Sequence, residues 1–146
     1  MLIGRIDGTV GDGKRISFPK EYRTELGDKL VITKGENRYL VAVSQNSYKT
    51  LLEGIEGKPF INKSAREAQR FILGNATQVA LDPVGRFVFP EFLQEYAGIK
   101  KDVIFAGMEG FVEIWVNEQW EKHQSVLAEE IPSIVEKNIE RQEGEK

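Results

Sequence analysis

No cysteine occurs among the 146 residues, which excludes disulfides, thiolate nucleophiles and cysteine-ligated zinc together and fits a reducing compartment. Histidine is almost as scarce. His123 is the only one, and no second histidine or suitably spaced carboxylate gives it the company of a metal ligand, so it reads as a helical surface residue. The N-terminus lacks an apolar run of signal-peptide length, and 18 consecutive apolar residues occur nowhere, so the expectation is a cytoplasmic chain without a membrane partner.

Catalytic signatures are missing as well. Gly11-Asp12-Gly13-Lys14 is glycine-rich, but it lacks the spacing and the trailing Ser/Thr of a phosphate-cradling loop. Glu129 and Glu130 are sequence neighbours that diverge on a helix and do not flank a bond together. No enzyme activity, cofactor, metal site or small-molecule substrate is therefore expected.

Excess positive charge is also absent overall, since the net charge is -3. The average conceals an asymmetry along the chain. Residues 1–75 hold 13 Lys/Arg against 9 Asp/Glu, residues 76–123 hold 4 against 8, and residues 124–146 hold 3 against 6. A polyanion responds to the cations near it rather than to the sum, so a local basic patch drawn mainly from the first half remains available.

What the chain does have is a repeat. Arg15-Ile16-Ser17-Phe18-Pro19 recurs 71 positions later as Arg86-Phe87-Val88-Phe89-Pro90, and a glycine follows each at the same distance, Gly27 and Gly98. Leu30-Val31-Ile32 answers Val103-Ile104-Phe105, Val41-Ala42-Val43 answers Glu113-Ile114-Trp115 or a frame one residue away, and Tyr48 answers Trp120. The reading is a first repeat over 3–53, a helical connector over 54–75, a second repeat over 76–123 and an acidic helical tail over 124–146.

Each repeat reads as strand, turn, short strand, short helix and hairpin. Proline opens each helix, where its missing N–H costs nothing, and glycine closes it. Tyr22 and Leu26 point inward in the first, and Leu93, Tyr96 and Ala97 in the second. The hairpins are Lys29 to Thr33 with Arg38 to Val43, and Asp102 to Ala106 with Phe111 to Val116. Trp115, Trp120, Tyr48 and Phe111 are expected in the core. In the connector, Ser64 and Glu67 have capping-box spacing, which predicts a helix from about Ala65 to Leu73 with Ala68, Phe71 and Ile72 inward and Arg66 and Arg70 on one side. The tail helix should break at Pro132 and restart at Ser133, and Glu143 to Lys146 should fray. Short strands with brief helices exclude a parallel α/β fold. Two units too small to bury a sheet alone favour an α+β, mainly β fold in which both repeats intertwine into one β-barrel with short peripheral helices.

The arginines beside the turns are the functional candidates. Gly13-Lys14-Arg15 and Gly85-Arg86 place an arginine at corresponding points of a duplicated unit, related by a pseudo-twofold axis. The guanidinium fork matches phosphate oxygens or the O6/N7 edge of guanine, and a turn between strands is narrow enough for the major groove. Arg5, Lys14, Lys20 and Arg23 would add cations near the first turn. An alternative is a protein-binding module whose acidic tail, with Ile131, Ile134, Val135 and Ile139, wraps a basic partner.

Asp82-Pro83-Val84-Gly85-Arg86 followed by Phe87-Val88-Phe89-Pro90, together with Arg66, Arg70, Phe71 and the exit Gly74-Asn75-Ala76, resembles the MraZ family of bacterial transcriptional regulators. The resemblance runs from Met1 to about His123. It implies two AbrB-like repeats forming a double-split, swapped-hairpin barrel. It further implies a DNA-binding repressor that recognises short direct repeats upstream of its own division and cell-wall gene cluster, assembles into rings and associates with the nucleoid. The first repeat departs from the pattern, with Gly11 where the aspartate belongs and Lys14 in place of the glycine. Asp82 is expected to hold its turn by accepting backbone N–H groups, and Asp12 to do the same in a rearranged loop shaped by Gly13. On this reading Arg86 is better placed for base geometry, and the Arg15 side supplies more of the phosphate attraction.

Overall fold

The computed structural model describes residues 1–52 and 60–144; the first part of the connector and the last two residues of the expected frayed end lie outside them. The chain divides into two units, Met1–Val116 and Asn117–Lys146. Among its described residues the first holds eight strands in order: β1 (Ile3–Thr9), β2 (Arg15–Ser17), β3 (Lys29–Lys34), β4 (Leu40–Ser44), β5 (Thr77–Ala80), β6 (Arg86–Val88), β7 (Asp102–Met108) and β8 (Val112–Val116). Its α-helices are α1 (Lys20–Leu26), α2 (Lys63–Ile72) and α3 (Glu91–Ala97).

Six strands form one sheet in the order β1-β7-β8-β4-β3-β5, and β2 with β6 forms a two-stranded ribbon. Every pairing is antiparallel. The repeats exchange their first strands, because β1 pairs with β7 of the second repeat while β5 pairs with β3 of the first. The fold is therefore α+β with a mainly antiparallel sheet; among the described residues the six-stranded sheet is open.

The pairing register reveals the symmetry of the duplication. Ile16 stands directly opposite Phe87, its counterpart in the repeat. Val41 stands opposite Glu113 where β4 meets β8. A pseudo-twofold axis passes through both places, and the hydrogen bonds obey it. The Phe18 N–H donates to the Gly85 carbonyl at 2.9 Å and the Phe89 N–H to the Lys14 carbonyl at 2.9 Å.

The main core is drawn from both repeats. Phe18, Tyr22 and Leu30 of the first join Phe87, Phe89, Leu93 and Phe105 of the second in a single buried cluster. Phe18 meets Phe105 edge-on at 5.2 Å between ring centroids and tilts against Phe87 at 6.4 Å. Tyr22 is buried, and its hydroxyl reaches the carbonyls of Ile3 and Gly4, tying α1 to β1. Pro19 and Gly27 bound α1 as the sequence predicts, and Pro90 and Gly98 bound α3.

Several expectations need correction. Asn62, not Ser64, caps α2 by accepting the Ala65 N–H at 3.0 Å, so the helix starts before the Ser-x-x-Glu pattern. Glu67 is drawn instead to Arg70 at 2.7 Å. With that start, Ala65 is the buried residue of α2, and Phe71 is 38% exposed. Trp115 is buried and stacks on Tyr39 at 4.8 Å, and Phe111 packs on a smaller cluster around Val43, but Tyr48 is 50% exposed on a 3-10 segment.

The second unit is a helix, α4 (Asn117–Gly144), which runs on through Pro132 without the expected break. Proline removes one N–H bond and crowds the carbonyl four residues back, here Ala128, which is exposed and open to water, while the ladder on either side survives. Glu143 is still helical. No described helix is long and apolar enough to cross a membrane.

Candidate nucleic-acid interface

The ribbon has two unlike faces. Ile16 and Phe87 are buried, whereas Arg15, Ser17, Arg86 and Val88 are exposed, because alternate residues of a strand point to opposite sides. Arg15 lies opposite Val88 and Arg86 opposite Ser17, which makes the two arginines a diagonal cross-strand pair about 7–8 Å apart. The sequence places both at turns, and the fold brings them together on one outward face.

The turn preceding Arg86 is held by Asp82. Its Oδ1 accepts the N–H of Val84 at 3.0 Å and of Arg86 at 2.8 Å, and its Oδ2 accepts Arg86 Nε at 2.9 Å. The Asp82 N–H in turn donates to the Arg86 carbonyl at 2.9 Å. Gly85 supplies the left-handed step at φ 87°. The backbone N–H of Arg86, and then its side chain and the Val84 N–H, hold the Asp82 carboxyl below the usual carboxylate range.

A lowered folded-state value means that the turn gains from the ionised form above the unfolded value, and the gain is lost as pH falls through the folded one. The difference in urea midpoint between wild type and Asp82→Asn should therefore be constant at neutral pH and shrink on acidification below the usual carboxylate range. A pH-independent difference would leave only the neutral hydrogen bonds at work.

The first turn is built differently. Counting back 71 residues from Asp82 gives Gly11, which has no side chain to offer. The Asp12 carboxylate, expected to substitute, accepts no hydrogen bond among the described residues: Asp12–Lys14 forms a 3-10 turn, and the backbone bond common to both turns, here the Gly11 N–H to the Arg15 carbonyl at 2.8 Å, remains. Gly13 takes φ 69° and Lys14 takes φ 59°, so Lys14 occupies the left-handed position that Gly85 fills in the other turn. For a residue with a Cβ that conformation costs about 1–2 kcal/mol. Lys14 Nζ lies 3.2 Å from Glu91 at the start of α3.

The remaining candidate cations are dispersed. Arg5 is exposed on β1, in the six-stranded sheet, 3.2 Å from Asp7. Lys20 is exposed at the first residue of α1. Arg23 is not beside the first turn, where its sequence position suggested. It crosses to the other repeat, where its guanidinium lies against Gly85 so closely that a Cβ on that glycine would overlap it. No local pattern announces this contact, which exists only through the intertwining. The described hollow nearest the turns is lined by Lys14, Glu91, Gln94, Glu95, Gly98, Ile99 and Lys100, and includes neither Arg15 nor Arg86.

Residues 72–141 match a family profile described as "MraZ protein, putative antitoxin-like". The chain is 39% identical over 123 residues to a transcriptional regulator MraZ of Caldanaerobacter subterraneus, covering 84% of this chain and 86% of that protein. It is 34% identical over 84% of its length to the namesake in Clostridium tetani, of which 87% is covered. With that of Caldicellulosiruptor saccharolyticus it shares 32% identity over 94% of this chain and 96% of the relative.

Proposed function

Because the chain belongs to the MraZ family, we propose that it is a sequence-specific DNA-binding transcriptional regulator that reads promoter DNA with the outward face of the β2–β6 ribbon. The supporting observation is the diagonal pair Arg15 and Arg86 on a two-stranded element whose other face is buried. A ribbon of that kind fits a major groove about 12 Å wide, and an arginine fork suits guanine O6/N7 or phosphate. Lys14 and Arg23, at the two turns, and the more dispersed Lys20 and Arg5 supply phosphate attraction.

In this reading the exchange of first strands between the repeats belongs to an AbrB-like double-split, swapped-hairpin barrel. The protein represses its own division and cell-wall gene cluster by occupying short direct repeats, acting in the cytoplasm at the nucleoid. One ribbon offers few base contacts, so a ring of copies engaging sites about one helical turn apart converts weak binding into strong binding through effective concentration. Footprinting on the DNA upstream of its own gene tests this. Short protected repeats at helical spacing are expected, and uniform or absent protection would remove the sequence-specific reading.

The second reading, a protein-binding module, rests on α4. That helix exposes Val126, Ile131, Ile134, Val135 and Ile139, with Ile139 at 50%, and the family profile, which includes the antitoxin-like description, extends over it to residue 141. A protein retained by the α4 surface and lost on Ile131→Ser/Ile139→Ser, with DNA binding unchanged, would favour this function.

A further inference from the structure

The two turns differ in what braces them, and the difference is reciprocal across the pseudo-twofold. Arg23 in α1 corresponds to Gln94 in α3, 71 residues on. Arg23 lies on Gly85 of the second turn. Gln94 borders the hollow that Lys14 of the first turn also lines. Both side chains carry a buried polar atom without a hydrogen-bond partner, Arg23 Nε and Gln94 Oε1.

The residue identities are coupled by charge and by space. Where the turn has glycine, the helix contributes an arginine. Where the turn has Lys14, the helix contributes neutral Gln94, and an arginine at that point would set two cations together. Each turn therefore has one cation beside its ribbon arginine: Lys14 comes from the first turn itself, whereas Arg23 comes from the opposite repeat. Their neutralisation is unequal. Lys14 is paired with Glu91 and Arg86 with Asp82, but no carboxylate is paired with Arg23 among the described residues. The glycine makes this possible, since any Cβ at position 85 would displace the guanidinium.

Holding an arginine half-buried beside Arg86 without an acid is unfavourable for the protein alone, and becomes favourable when an anion arrives. We propose that Arg23 is the phosphate-binding cation of the second turn, delivered in trans by α1 onto Gly85, and that it makes the Arg86 side the more attractive to the DNA backbone. The inference rests on the DNA-binding reading and reverses the expectation that phosphate attraction is concentrated around Arg15.

The test is the salt dependence of binding to the protein's own upstream DNA for wild type, Arg23→Met and Arg23→Lys. Methionine keeps the apolar stem and removes the charge; lysine keeps the charge. One lost phosphate contact lowers the log–log salt slope by about 0.9, so between 50 and 200 mM salt Arg23→Met should lose about three- to fourfold less affinity than wild type for each second turn engaged. Arg23→Lys should retain the wild-type slope. An unchanged slope in Arg23→Met, with an unchanged urea midpoint, would reduce Arg23 to a packing residue and overturn the proposal. A midpoint that falls in both variants while both slopes stay at the wild-type value overturns it equally. If wild type itself shows no salt-dependent binding to that DNA, the regulator reading fails, and the two failures are thereby told apart.

Discussion

Replacing Arg86 by alanine is expected to weaken binding to the operator by about 1–3 kcal/mol per subunit, roughly 5- to 150-fold, with folding intact. The size follows from preorganisation. Arg86 Nε is already tied to Asp82 Oδ2 at 2.9 Å, and the backbone beneath it is fixed by two further bonds to Oδ1. Little side-chain freedom is left to lose when the terminal nitrogens meet a base edge. Arg86→Lys separates charge from shape, because an ammonium keeps the attraction but lacks the planar fork. It should retain most of the salt slope and lose discrimination against a site with its guanine changed. Anisotropy titrations with the operator and single-base variants measure both quantities. An Arg86→Ala protein that binds as wild type does would show that the ribbon face is not the reading surface.

Phe18→Ala should have the largest effect on stability, about 3–5 kcal/mol. The ring is 1% exposed, and its aromatic neighbours, Phe87 and Phe105, both belong to the other repeat. The cavity would open at the seam between repeats, where neither can collapse to fill it without moving the other. Urea unfolding followed by tryptophan fluorescence and by circular dichroism should shift to lower urea in both signals together. Two separated transitions would mean that each repeat keeps a core of its own.

Much of this arrangement is legible in the sequence because its signals are local. Pro19 and Pro90 start the helices, Gly27 and Gly98 end them, and apolar runs between turn residues mark the hairpins. Asp82 is legible for the same reason, since an aspartate two residues before Val84 and four before Arg86 acts on its own backbone. The misreadings arise where a local rule has a competitor. Asn62 outcompetes Ser64 as the cap of α2. Asp12 is the nearest aspartate to Arg15, yet the duplicated position is Gly11, and the loop is shaped by the positive φ of Gly13 and Lys14. Arg23 is the instructive case. Sequence distance assigns it to the first turn, but strand exchange carries α1 to the opposite repeat, and only the missing Cβ of Gly85 betrays the contact.

The near-symmetry of the ribbon also has a directional consequence. A reader with a true twofold sits on a duplex equally well either way round, which is why symmetric dimers match palindromes. Here, turning the molecule end for end exchanges a Lys14–Glu91 corner for a Gly85–Arg23 corner, so the two placements differ in energy. If the ribbon reads DNA as proposed, each chain carries a polarity along the duplex, a marker of strand direction rather than a mirror-image clamp.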